Sequence, residues 1–178
     1  MKMHQADLET IQEAEARLQI LERAEPVIDQ IRKAFAGVKL GNGIGMREAN
    51  GIDDHENEET LAKLRKSDEK DSWEAISEDP RQINFWSPPY FDAEGMRFHL
   101  PAYLIAELRG YYGNPFPFPV FGMSDHVKSQ YTSLDHGQRQ AVRVFLIHIL
   151  DDPDYEFDRS EIEKALEEHW TDELPEVN

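Results

Sequence analysis

The stretch GMRFHLPAYLIAELRGYYGNPFPFPVFGM, residues 95–123, holds the densest run of aromatic and aliphatic side chains in an otherwise acidic chain. A segment that apolar has to lie inside whatever the chain folds into, because burying apolar surface is the main favourable term in folding. Its second part, with Pro115, Pro117 and Pro119 at alternate positions, excludes a helix and fits an extended path. Phe116, Phe118 and Phe121 are expected to cover the core from there.

The first part carries the fold class. Ile83, Phe85 and Tyr90 to Asp92 favour extended chain, and Ala93 to Gly95 supply a turn. Met96, Phe98 and Leu100 then alternate with Arg97 and His99 in period two. This pattern predicts a small antiparallel hairpin around residues 83–100 inside a mainly helical α+β domain of about six helices. Pro101 is placed at the first position of the following helix, which should stop near Gly113.

The other helices follow from 3.6-residue spacing. Leu8, Ile11, Leu18 and Leu21 mark a helix over residues 7–24, and Ile28, Ile31 and Phe35 continue an apolar face after Pro26, as a second helix or one bent there. Leu61 and Leu64 seat a short helix, and Trp73 with Ile76 seats another, the polar KSDEKDS lying between them as a connection. Val142, Phe145, Leu146, Ile149 and Leu150 define a helix capped by Thr132 or Ser133. The last begins at a capping box, Ser160 to Glu163, and carries Ile162, Leu166 and Trp170 on one face. Leu100, Leu104, Leu108, Phe145 and Ile149 are expected to share one core, and residues 1–178 are read as one domain, its acidic helical segment over 151–178.

The net charge is -17, and residues 151–178 hold twelve Asp/Glu against Arg159 and Lys164. Such a field repels DNA, RNA and anionic membranes and attracts a basic protein. Cysteine is absent, which removes disulfides and thiolate chemistry. The N-terminus has no apolar signal core and no run approaches the ~18 apolar residues of a membrane span, so a cytoplasmic location is expected.

Motifs for chemistry are weak. The loop GVKLGNGIG, residues 37–45, has four glycines but neither GK[ST] nor GxGxxG spacing, and reads as a structural turn. His55 among Asp53, Asp54, Glu56 and Glu59 lacks the second histidine of a zinc helix and the glycine of a calcium loop, and His99, His126 and His136 add no ligand spacing. No metal and no cofactor is therefore expected. For hydrolysis, His99 as base with Asp92 or Asp125, and Ser124, Ser129 or Ser133 as hydroxyl, form no nucleophile elbow.

The residues Ala34-Phe35, Gly43-Ile44, Glu48-Ala49, Arg65, Trp73, the run Arg97-Phe98-His99-Leu100-Pro101-Ala102-Tyr103, and Leu134, Gln138 and Phe145-Leu146 resemble an uncharacterised bacterial family, a domain of unknown function, over about residues 31–150. The resemblance implies a bacterial, soluble, single-domain protein and assigns no activity.

Two functional expectations remain. The first is a protein-binding module of the kind that inhibits a basic toxin or nucleic-acid-binding protein, with Asp154, Glu156, Asp158, Glu161, Glu167 and Glu168 meeting the partner. The second is a hydrolase-like enzyme using Arg97, His99 and Tyr103, or else a structural or adaptor protein.

Overall fold

Asp92 begins the central element. Its backbone is extended and its carboxylate accepts the Gly95 N–H at 2.7 Å, an N-cap that starts a helix where the sequence pattern predicts a turn. In this computed structural model, which describes residues 2–79, 81, 83, 84, 86–111, 120 and 124–171, that helix runs from Ala93 to Leu108. In chain order the helices are α1 (Lys2–Ala34), α2 (Met46–Asp53), α3 (Glu58–Ser67), α4 (Trp73–Glu78), α5 (Ala93–Leu108), α6 (Asp125–Gln130), α7 (His136–Leu150) and α8 (Arg159–Glu168).

Among the described residues there is no strand, so the domain is all-helical and the expected α+β class with a hairpin over 83–100 is overturned. The reason lies in burial. Met96, Phe98, His99, Leu100, Ala102, Tyr103, Leu104, Ile105 and Ala106 are each at most 1% exposed. A helix covered on nearly every side has no polar stripe, so apolar spacing carries no helical signature. The apparent alternation counted His99 as an outward position, yet its ring is inside. Pro101 sits in the ninth position of α5, not its first. It has no N–H to give the Arg97 carbonyl, a cost of about 3 kcal/mol in a helix interior, offset here by the burial around it.

α5 ends early for an equally local reason. Gly110 takes φ +63°, its N–H bonds the Glu107 carbonyl, and the Tyr111 N–H reaches back to Ala106, the paired bonds of a left-handed glycine stop. The expected end near Gly113 lies outside the described residues, as do the phenylalanines at 85, 116, 118 and 121. Val120, which is described, is fully buried.

Around α5 the other helices form a shell: α1, α4 and α6 pack on it, α7 packs on α1 and α8, and α2 pairs with α3. α1 is one continuous helix through Pro26, longer than the expected 7–24, and its Ile28 and Ile31, with Phe35 just past its end, are fully buried. The cap of α7 is Asp135 rather than Thr132 or Ser133, its side chain accepting the Gln138 N–H while the Gln138 side chain accepts the Asp135 N–H in a capping box. α8 starts at Arg159 without a side-chain cap, and Trp170 lies beyond its end.

Leu100, Leu104, Leu108, Phe145 and Ile149 belong to one buried cluster with residues of α1, α2, α4 and α8. Truncating a buried side chain of this size typically costs about 2–5 kcal/mol. Leu104→Ala and Phe145→Ala should each lower the urea midpoint by that much stability without changing the helical circular dichroism spectrum, and an unchanged midpoint would show that these positions are not packed.

Candidate functional site

Arg97, His99 and Tyr103 all lie on α5, but they serve different contacts. The Arg97 Nε donates to Gln138 Oε1 at 3.0 Å, with Asp135 3.8 Å away, tying α5 to the start of α7. The His99 Nδ1 bonds the Gly95 carbonyl at 2.7 Å, and its ring stacks on Phe91 at 4.4 Å. Tyr103, one turn further on, sets its ring edge-on to Phe91 and donates its hydroxyl to the Asn84 carbonyl at 2.5 Å. His99 and Tyr103 therefore share a face while Arg97 points to α7.

Because a carbonyl can only accept, the His99 Nδ1 carries the proton and Nε2 keeps its lone pair. Burial pushes the His99 pKa down to about 4, against smaller upward pulls from Gly95 and Asp92. The ring is a neutral acceptor at pH 7 and a poor general base.

His99 also borders a polar recess of about 410 Å³ whose other walls include Arg47, Ser67, Asp68 and Arg81. Asp68 accepts the N–H groups of Arg47 at 2.7 Å and Glu48 at 3.2 Å, so a carboxylate distant in sequence caps α2. Burial raises its pKa, with the two N–H bonds pulling the other way. A Cβ on Gly45 would fall 2.2 Å from the Asp68 carboxyl carbon, which is why a glycine stands before α2. Ser67 donates its hydroxyl to the Leu64 carbonyl, and the nearly buried Glu48 is held by the Arg65 guanidinium through both oxygens. The recess thus has a neutral imidazole and a carboxylate spent on capping α2, and among its described residues no serine is poised as a nucleophile.

The remaining candidates are also committed to structure. In the glycine loop, Ile44 donates its N–H to Asp92 Oδ1, and a Cβ on Gly43 would lie 2.6 Å from the Gly95 nitrogen, so this loop clamps the start of α5. His55 adopts φ +58°, and the Glu56 N–H returns to Gly51 to finish α2 before Asn57 caps α3. Ser124 caps α6 and Ser129 donates to the His126 carbonyl, while the His126 ring bonds the Pro89 carbonyl.

The acidic end is different in kind. Asp154, Glu156, Glu161, Glu167 and Glu168 are exposed and Asp158 is half-buried. Among the described residues, no ion pair engages these six carboxylates. Beneath them, Tyr155 is buried with its hydroxyl on Glu107, Ile162 and Ala165 face the core, and the Trp170 indole donates to the Val120 carbonyl at 2.6 Å. In their midst Phe157 is 95% exposed.

The model of a family of unknown function (DUF6714) matches residues 23–174. The chain belongs to that family. No similar curated protein and no similar solved structure was found. The match extends the expected resemblance, which covered about 31–150, on both sides and takes in the acidic α8. Among the described residues no helix is long and apolar enough to cross a membrane.

Many of the residues that carried the resemblance are joined by bonds: Arg97 to Gln138, Gln138 to the Ala34 carbonyl, Trp73 to the Phe35 carbonyl, Glu48 to Arg65, and Ile44 to Asp92. They are wiring between helices. Sequence reasoning missed Phe157 and Asp68. Phe157 had a visible signal, an aromatic set among acids in DYEFD, whereas nothing local shows that Asp68 reaches the N-terminus of a helix twenty residues earlier.

The low pKa of His99 fixes a pH dependence. The unfolded chain takes up this proton near pH 6.5 and the folded one only near pH 4, so the stability tied to neutral His99 is complete above 6.5 and is lost as pH falls toward 4. NMR should show the His99 ring neutral down to about pH 4, and His99→Gln should flatten the part of the urea-stability profile that lies between those values.

Proposed function

We propose that this protein is a binding module for a positively charged protein partner, engaged by the acidic end that includes α8. The observation that carries the reading is Phe157, 95% exposed and flanked by Asp154, Glu156, Asp158 and Glu161. A large aromatic held in water among carboxylates that form no ion pair among the described residues matches the make-up of an interface, an aromatic anchor inside a charged rim. The rim charges steer a cationic surface in, and the ring supplies contact area once it arrives.

Inhibition of a basic toxin or of a nucleic-acid-binding regulator is the form of binding we favour, because such a partner presents the cationic face that this end complements. We place the module in the bacterial cytoplasm, in line with the lack of cysteine and of a membrane-spanning helix among the described residues. The enzymatic alternative built on Arg97, His99 and Tyr103 has less support, since Arg97 is engaged with α7 away from the other two and His99 is a weak base.

Affinity capture from the source cell at low and high salt, followed by binding kinetics with the eluted protein, tests the reading. Glu167→Gln with Glu168→Gln should slow association several-fold and flatten its salt dependence, because exposed charges act over about 8 Å at physiological salt and mainly change the on-rate. Phe157→Ala should instead raise the dissociation rate, and all three substitutions should leave the melting temperature nearly unchanged. Recovery of no basic protein, together with turnover of a small substrate that disappears in His99→Ala, would replace this reading by the enzymatic one.

A further inference from the structure

α1 and α7 pack together but leave a groove of about 520 Å³ between them, within the range of about 300–1,000 Å³ found for ligand sites. Val27 of α1 and Val144 and Ile147 of α7 give it an apolar lining, and Ile147 is 46% exposed. One end closes on Asp151, Asp152 and Pro153, the turn from which the acidic segment begins.

We propose that this groove receives the apolar face of a cationic amphipathic helix supplied by the partner, with a lysine or arginine of that helix set over Asp151 and Asp152. The inference deepens the protein-binding reading and rests on it. Charge selects the occupant. At the closed end the two carboxylates meet the carbonyl terminus of α7, whose helix dipole is negative there. Among the described residues Arg23 is the one Lys or Arg of the lining against them, and the pKa of the partly buried His148 is lowered, desolvation outweighing the pull of Asp152 and Asp151. A second copy of a chain with net charge -17 is repelled from this end, and residues 172–178 carry Asp172, Glu173 and Glu176 with no base, so the chain's own tail is repelled as well. A helix that places leucine-type side chains at three- and four-residue intervals, with lysines between them, matches both the apolar lining and the acidic end.

The test uses the full chain and two synthetic helical peptides of equal length and equal lysine content, one with leucines at helical spacing and one with glutamines in their place. The leucine peptide should bind at least about tenfold tighter by fluorescence anisotropy, the factor that ~1.4 kcal/mol of added burial gives. It alone should shift the NMR signals of the His148 ring. Ile147→Ser, at an exposed position that leaves the fold intact, should remove the advantage of leucine, and Val144→Ser should do the same where its melting temperature is retained. Equal binding of the two peptides, no binding of either, or an advantage that survives Ile147→Ser would overturn the groove inference. Equal, salt-sensitive binding that weakens in Glu167→Gln with Glu168→Gln would do so while leaving the acidic-end reading standing, which separates the two failures.

Discussion

One carboxylate oxygen organises the interior. Asp92 Oδ1 accepts the Gly95 N–H that opens α5 and, at 3.0 Å, the Ile44 N–H of the glycine loop. The same atom thus starts the central helix and fixes the chain that leads into α2. The two backbones come so close that a Cβ on Gly95 would lie 2.3 Å from the Ile44 carbonyl oxygen. With that corner set, the direction of α5 is set, and α1, α4 and α6 have a fixed cylinder to pack against. Charge-assisted bonds to backbone N–H are strong for their size, and here one such acceptor does the joining.

How much of this was legible depends on distance along the chain. The core residues were readable because apolar character is a property of single positions: Leu100, Leu104, Leu108, Phe145 and Ile149 are buried as their types and spacing suggest. Helices with one wet face, such as the second half of α1 and α7, announced themselves by period. α5 did not, since a helix wrapped by its neighbours is apolar all round, and its one polar inner residue, His99, imitated the outward position of a strand. The caps were misread. Asp135 and Gln138, three residues apart, form the box that was sought at Ser160 and Glu163, α7 is not capped by Thr132 or Ser133, and Asp68 caps α2 from twenty residues away, where only the folded chain brings them together. The candidate site follows the same rule: the carboxylates of the acidic end were counted from the sequence, while the exposure of Phe157 is a product of packing, Tyr155 and Ile162 turning inward and leaving the ring outside.

Inside and outside divide the labour in this chain. The run from Arg97 to Tyr103, distinctive as a motif, is spent on joining α5 to α7, to Phe91 and to the loop at Asn84. Polar groups engaged in this way specify one packing arrangement and have few bonds left for a ligand. The acidic end, by contrast, carries the exposed Phe157 and six carboxylates that no ion pair engages among the described residues. The bonds within the run from Arg97 to Tyr103 hold α5 against its neighbours, and the family match embraces both that wired interior and the acidic α8.

The near-complete enclosure of α5 also sets a hierarchy of opening. An amide proton exchanges with solvent only when its hydrogen bond breaks and water reaches it, and the route by which this happens depends on how much structure must move. From Phe98 to Ala106 neighbouring elements stand between the helix and water. Exchange there has to pass through unfolding of the whole domain, so the slowest amides of α5 report the global stability directly. Pro101, with no amide at all, leaves a silent position in the middle of that protected block.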